Sequence, residues 1–176
     1  MKNIKNLLIA VLSFTALSVN AQLLSKGVTK ELADQRKANI SNVIYDLTFN
    51  IPSNLQEKVT GKNVITFDLK EDQDVILDFQ GGFDGTVYYY TGKKGKKVKR
   101  KMFTAVYQDE HIIIPAKFVE PGTNKIELSF TSLDKALNRH QDYMYSLFVP
   151  DHARSVYPFF DQPDLRARYM TDIKAP

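Results

Sequence analysis

Three histidines, His111, His140 and His152, are the side chains of this sequence best suited to proton transfer or metal binding. No two of them lie three or four residues apart, so they cannot form the imidazole pair that a helical zinc site needs. Glu110 sits beside His111, but Ile112, Ile113, Ile114 and Pro115 follow, which makes His111 the first residue of a strand. Cysteine is absent, and so are a Gly-x-Ser-x-Gly elbow and a phosphate-binding loop. Glu71, Asp72 and Asp74 lack the spacing of an EF-hand and read as turn residues. The run "TGKKGKKVKRK", Thr91 to Lys101, carries no aromatic side chain, and the whole chain has a net charge of only +4. It reads as a solvated hairpin tip that blunts a sheet edge, and nucleic acid is not expected as a partner. These residues cannot assemble a hydrolytic site by themselves, and no metal or cofactor is expected on this chain.

A denser collection of polar groups lies in "SLFVPDHARSVYPFFDQPDLRARY", Ser146 to Tyr169. Pro158 and Pro163 forbid a helix interior or a central strand there and remove ladder donors. Arg154, Asp161, Gln162 and Arg166 are the side chains available to replace those hydrogen bonds. Alternation sends neighbouring side chains to opposite faces, so one of Phe159 and Phe160 is expected inside and the other outside. The outward ring would then need a second body of protein to cover it. Before the corner, "YMYSLFVP" reads as a strand running to Pro150; after it, Leu165, Ala167, Tyr169 and Ile173 are expected to face inward.

The elements that must hold this corner are mostly strands. Lys2 and Lys5 precede an apolar run from Leu7 to Val19, and Val19-Asn20-Ala21 offers small residues for cleavage before Gln22. Residues 1–21 therefore read as a secretory signal peptide, since the run is shorter than the ~20 residues a membrane span needs. Export to a periplasm or the exterior, with no membrane anchorage after cleavage, is the expectation. Residues 22–41 form a leader with one short helix, Lys30 to Ala38, capped by Thr29. From residue 42 the period changes to two. Val43, Tyr45, Leu47, Phe49 and Ile51 share one face, and Ile65, Phe67 and Leu69 share another. "DVILDF", "GTVYYYT", "VKRKMFTAVY", "HIIIPA" and "NKIELSFTS" continue the series. Residues 42–176 are thus expected to form one mainly β domain, an antiparallel sandwich or saddle.

"ARSVYPFFDQPDLRARY" resembles the signature of the M1 family of zinc aminopeptidases, Ala-Arg-x-x-Phe-Pro-Cys-Phe-Asp-Glu-Pro-x-x-Lys-Ala-x-Phe. Arg154, Pro158, Phe160, Asp161, Pro163 and Ala167 match as they stand; Gln162, Arg166 and Tyr169 are close replacements, and Phe159 stands at the cysteine. "LNRHQDYMYSLFVPDHARS" resembles the secreted bacterial branch. The resemblance implies a β-saddle that rests on a catalytic domain and shapes the rim of a peptide-binding cleft. It also implies zinc in a full-length enzyme, with peptides as substrates. Many members carry Gln-x-Glu where Leu147 and Val149 stand here, and the Glu grips the substrate amine. Neither side chain can do so. Asp151 is the nearest substitute, and a simple turn role for it is the competing reading. The family's Gly-x-Met-Glu-Asn and His-Glu-x-x-His motifs are not in these 176 residues. The chain is accordingly expected to be the N-terminal piece of a longer enzyme. The alternative is a secreted β-sandwich that binds without catalysis.

Overall fold

The computed structural model describes residues 25–92 and 98–176. The expected signal peptide, the first leader residues and Lys93 to Lys97 of the basic run lie outside the described residues. Helix α1 (Lys30–Asn39) begins at Thr29, whose Oγ1 accepts a hydrogen bond from Leu32 N at 3.1 Å. Glu31 in its first turn and Arg36 and Lys37 in its last suit the helix dipole.

Eleven strands follow among the described residues: β1 (Ile40–Asn50), β2 (Thr60–Leu69), β3 (Val75–Asp78), β4 (Thr86–Thr91), β5 (Lys99–Thr104), β6 (Val106–Gln108), β7 (His111–Ile114), β8 (Gly122–Thr131), β9 (Leu137–Arg139), β10 (Met144–Ser146) and β11 (Ala167–Lys174). They form a six-stranded sheet in the order β11-β1-β2-β8-β4-β5, a three-stranded sheet β3-β7-β6, and the pair β10-β9. Period-two burial explains the large sheet. Tyr45 lies opposite Ile65 and Ile65 opposite Ile126, so one face carries a continuous apolar row. That row packs with Leu77, Ile112 and Ile114 of the smaller sheet in a single core. The mainly β, antiparallel-rich architecture agrees with the reading of the sequence.

Three details differ from that reading. "VKRKMFTAVY" is two strands, because the chain leaves the large sheet at Ala105, whose N–H is taken by Gly85 O at 2.8 Å. Only Met144–Ser146 of "YMYSLFVP" is strand; Leu147 to Pro150 leave the ladder. Strand β11 pairs with β1 in parallel, from Val43 opposite Ala167 to Asn50 opposite Lys174. It forms one edge of the large sheet, while β5, with Lys99, Arg100 and Lys101 exposed, forms the other.

Candidate functional site

The corner is held by side chains from elsewhere in the fold. After Pro150 the chain makes a short turn, Ala153–Ser155, and then runs along the free edge of β3. Asp78 N donates to Phe159 O at 2.8 Å and Phe159 N to Asp78 O at 3.2 Å. Asn63 Nδ2 donates to Pro158 O at 2.7 Å, and Ser132 Oγ to Val156 O at 2.7 Å. Phe160 N donates to the Tyr45 hydroxyl at 2.9 Å, and Asp161 N to Asp78 Oδ2 at 2.7 Å. Every one of these partners lies in or beside the strands that flank the corner.

The four side chains expected to do this work divide differently. Gln162 does support the corner: it is buried, and its Nε2 donates to Ala33 O of α1 at 3.0 Å and to Asp164 at 2.7 Å. Arg154 Nη2 instead pairs with Asp151 at 2.7 Å, and its Nε lies 4.0 Å from Asp161. Arg166 is exposed and makes no ion pair among the described residues. Pro158 is buried and Pro163 exposed.

Phe159 and Phe160 both lie inside, at 7% and 2% exposure, against the expectation of one ring in and one out. The segment is not a regular strand, so strict alternation does not govern it. It crosses between the large sheet and the α1–β3 layer, and protein meets it on both sides. Phe159 packs on Tyr45 and Tyr157, with centroids 6.3 and 4.8 Å apart. Phe160 meets Phe67 edge-on at 6.0 Å and the Arg36 guanidinium at 5.5 Å.

Asp78 is the hub of this arrangement, and the sequence offered no local sign of it. Arg36 reaches it with two nitrogens, at 2.8 and 2.9 Å, and also donates to Ile76 O at 2.7 Å. His111 Nδ1 lies 3.0 Å from Asp78 Oδ1, an ion-pair contact without the alignment of a hydrogen bond. All three side chains are sealed from solvent. Burial pushes the Asp78 carboxyl up, but Arg36, His111 and the Asp161 N–H outweigh it and hold it below its ordinary value. Burial pushes His111 down, but Asp78 and the Ser25 carbonyl outweigh that and leave it raised. Burial, then the charge of Asp78, raises Asp161.

The surface candidates sit together on the segment before the corner. Leu147 is exposed, Val149 is 74% exposed, and Asp151 follows in the turn with its carboxylate paired to Arg154. Tyr143 and Tyr145 are exposed beside them, with His140 stacked on Tyr143 at 4.4 Å. Tyr169 and Ile173, expected to face inward, are 50% and 58% exposed, because β11 is an edge strand that the described residues cover only in part; Tyr169 still packs on Tyr45 with ring centroids 5.0 Å apart. A groove of about 280 Å³ runs between them and Met144 and Phe148, floored by Phe49 and Tyr157. Exposed rings and aliphatics thus form one face around an apolar groove, the composition of a contact surface.

Among the described residues no three His, Asp or Glu side chains come together as a metal site. His111 is committed to Asp78, His140 to Tyr143, and His152 lies 3.6 Å from Asp151.

No family model matches this chain. Over 81 residues it is 33% identical to aminopeptidase N of Streptomyces lividans, a stretch covering 40% of this chain and 9% of that protein. Its fold matches an M1 zinc metallopeptidase from Deinococcus radiodurans at a TM-score of 0.56 and 18% identity, over 77% of this chain and 32% of the other. It matches leukotriene A4 hydrolase from Saccharomyces cerevisiae at 0.57 and 16% identity, over 80% and 24%. The chain therefore spans about a third or less of the proteins it resembles. It is similar to M1 zinc metallopeptidases, in fold over most of its length and in sequence over the shorter stretch.

Proposed function

We propose that this chain is the N-terminal β domain of an exported M1-type zinc aminopeptidase, in which it shapes the rim of the cleft and packs on a catalytic domain. The observation that carries this reading is the 33% identity to an aminopeptidase, joined to the shared fold. Zinc and the water it activates belong to the other domain, since the residues described here do not fit the metal. This chain's part is to position. The exposed face formed by Tyr143 to Val149 and β11 is where the catalytic domain docks, and peptides are the substrate class. Asp151 is the candidate carboxylate for the substrate amine, and it would have to exchange Arg154 for that amine. The basic n-region and apolar run at residues 1–21 support export.

The second reading, a β-sandwich that binds without catalysis, gains from one observation. Phe159 and Phe160 are both buried by this chain alone, so the corner needs no partner. Reading the gene beyond the codon for Pro176 separates the two. A continuation through Gly-x-Met-Glu-Asn and His-Glu-x-x-His upholds the aminopeptidase; a stop codon upholds the binding module.

A further inference from the structure

His111 faces an acceptor oxygen from each of its ring nitrogens. Nδ1 lies 3.0 Å from a carboxylate oxygen of Asp78, and Nε2 lies 3.1 Å from the carbonyl oxygen of Ser25. A neutral imidazole has one N–H, so its other nitrogen would present a lone pair to an oxygen lone pair at about 3 Å. Only the imidazolium places a proton on both nitrogens, giving an ion pair with Asp78 and a hydrogen bond to Ser25 O. We propose that His111 is a proton-operated latch: doubly protonated, it clamps the N-terminal arm, Ser25 to Thr29, onto the buried Asp78, and on losing a proton it lets the arm go.

The contact that yields is the one to Ser25. Asp78 is an anion fixed by Arg36 and the Asp161 N–H, whereas Ser25 sits at the exposed start of the described chain. The remaining proton therefore stays at Nδ1, facing the carboxylate. The charged groups around the ring are Asp78 from β3, Arg36 from α1, Asp161 from the corner, Glu110 from the preceding turn and Lys26 from the arm. Arg36 opposes protonation and Asp78 favours it. Lys26 and Glu110 lie 3.8 Å from one another at the rim of this cluster. Burial lowers the pKa of His111, but Asp78 and the Ser25 carbonyl outweigh it, so the proton is lost at a higher pH than from a free imidazole. The arm leads directly into α1, so its release frees the N-terminal end of the helix that carries Arg36.

The test uses the 176-residue chain labelled with 15N. Ring-nitrogen shifts of His111 should show two protons at pH 6 and one above its pKa. Backbone order parameters of Lys26, Gly27 and Val28 should fall over the same interval from the rigid value of about 0.85 toward 0.6 or below. His111→Asn should leave the arm loose at pH 6 and remove its pH dependence. A singly protonated ring at pH 6, or an arm whose order is unchanged while His111 titrates, overturns the proposal. Both wild-type readings decide it even if the variant does not fold.

Discussion

Arg36 and Asp78, 42 residues apart in sequence, form a two-pronged ion pair in the interior, with side chains only 2% and 1% exposed. The pair fastens α1 to β3 at the point where the corner runs along the edge of β3. Removing one partner of such a pair leaves a buried charge uncompensated. Arg36→Met should therefore cost about 3–5 kcal/mol at pH 7, read from urea unfolding. Part of that loss should return at acid pH, where Asp78 takes up a proton and no longer needs a cation.

Stability should peak in mildly acidic solution. The depressed pKa of Asp78 contributes stability that is present above the ordinary carboxyl value of about 3.9 and is lost as pH falls through its lower native value. The raised pKa of His111 contributes stability that is complete below about 6.5 and is lost as pH rises through its higher native value. Asp161, raised by burial, offsets part of the acid loss. Denaturation midpoints at pH 3, 5.5 and 9 should be highest at 5.5. In His111→Asn the decline between pH 5.5 and 9 should be smaller.

Each corner ring should be costly to truncate. Phe159→Ala and Phe160→Ala should both destabilise the chain by about 3–5 kcal/mol in thermal or urea melts. A cost below about 1 kcal/mol for either would contradict the burial described above.

Much of this arrangement was legible in the residues themselves. Period-two burial in β1, β2 and β8 and the Thr29 cap are local patterns, and they appear as read. So is the proline-bounded corner, whose position the spacing of Pro158 and Pro163 disclosed. Its support was not legible, because Asp78, Tyr45, Asn63 and Ser132 are joined to it only by the tertiary fold. The role of Arg36 was hidden for the same reason, as a lone arginine on a short polar helix looks solvated. Tyr169 and Ile173 misled in the opposite sense. Their spacing is that of a buried face, but β11 lies at a sheet edge that the described chain covers only in part.

The proposed amine contact of Asp151 is open to a kinetic test. If the complete reading frame encodes the proposed aminopeptidase, Asp151→Asn should raise KM for free-amine peptides about ten- to hundredfold, the loss of a charged contact worth about 1.5–3 kcal/mol. An unchanged KM would show that Asp151 serves only its turn and Arg154.

On the proposed function, the apolar face of Tyr143 to Val149 and Ala167 to Lys174 is covered by the rest of an aminopeptidase. Hydrogen–deuterium exchange of those two segments should be compared between this chain alone and the product of its complete reading frame. Exchange at least tenfold slower in the longer protein, confined to those segments and the groove between them, is the result expected. Equal exchange in both forms, or a reading frame that stops at Pro176, would contradict it.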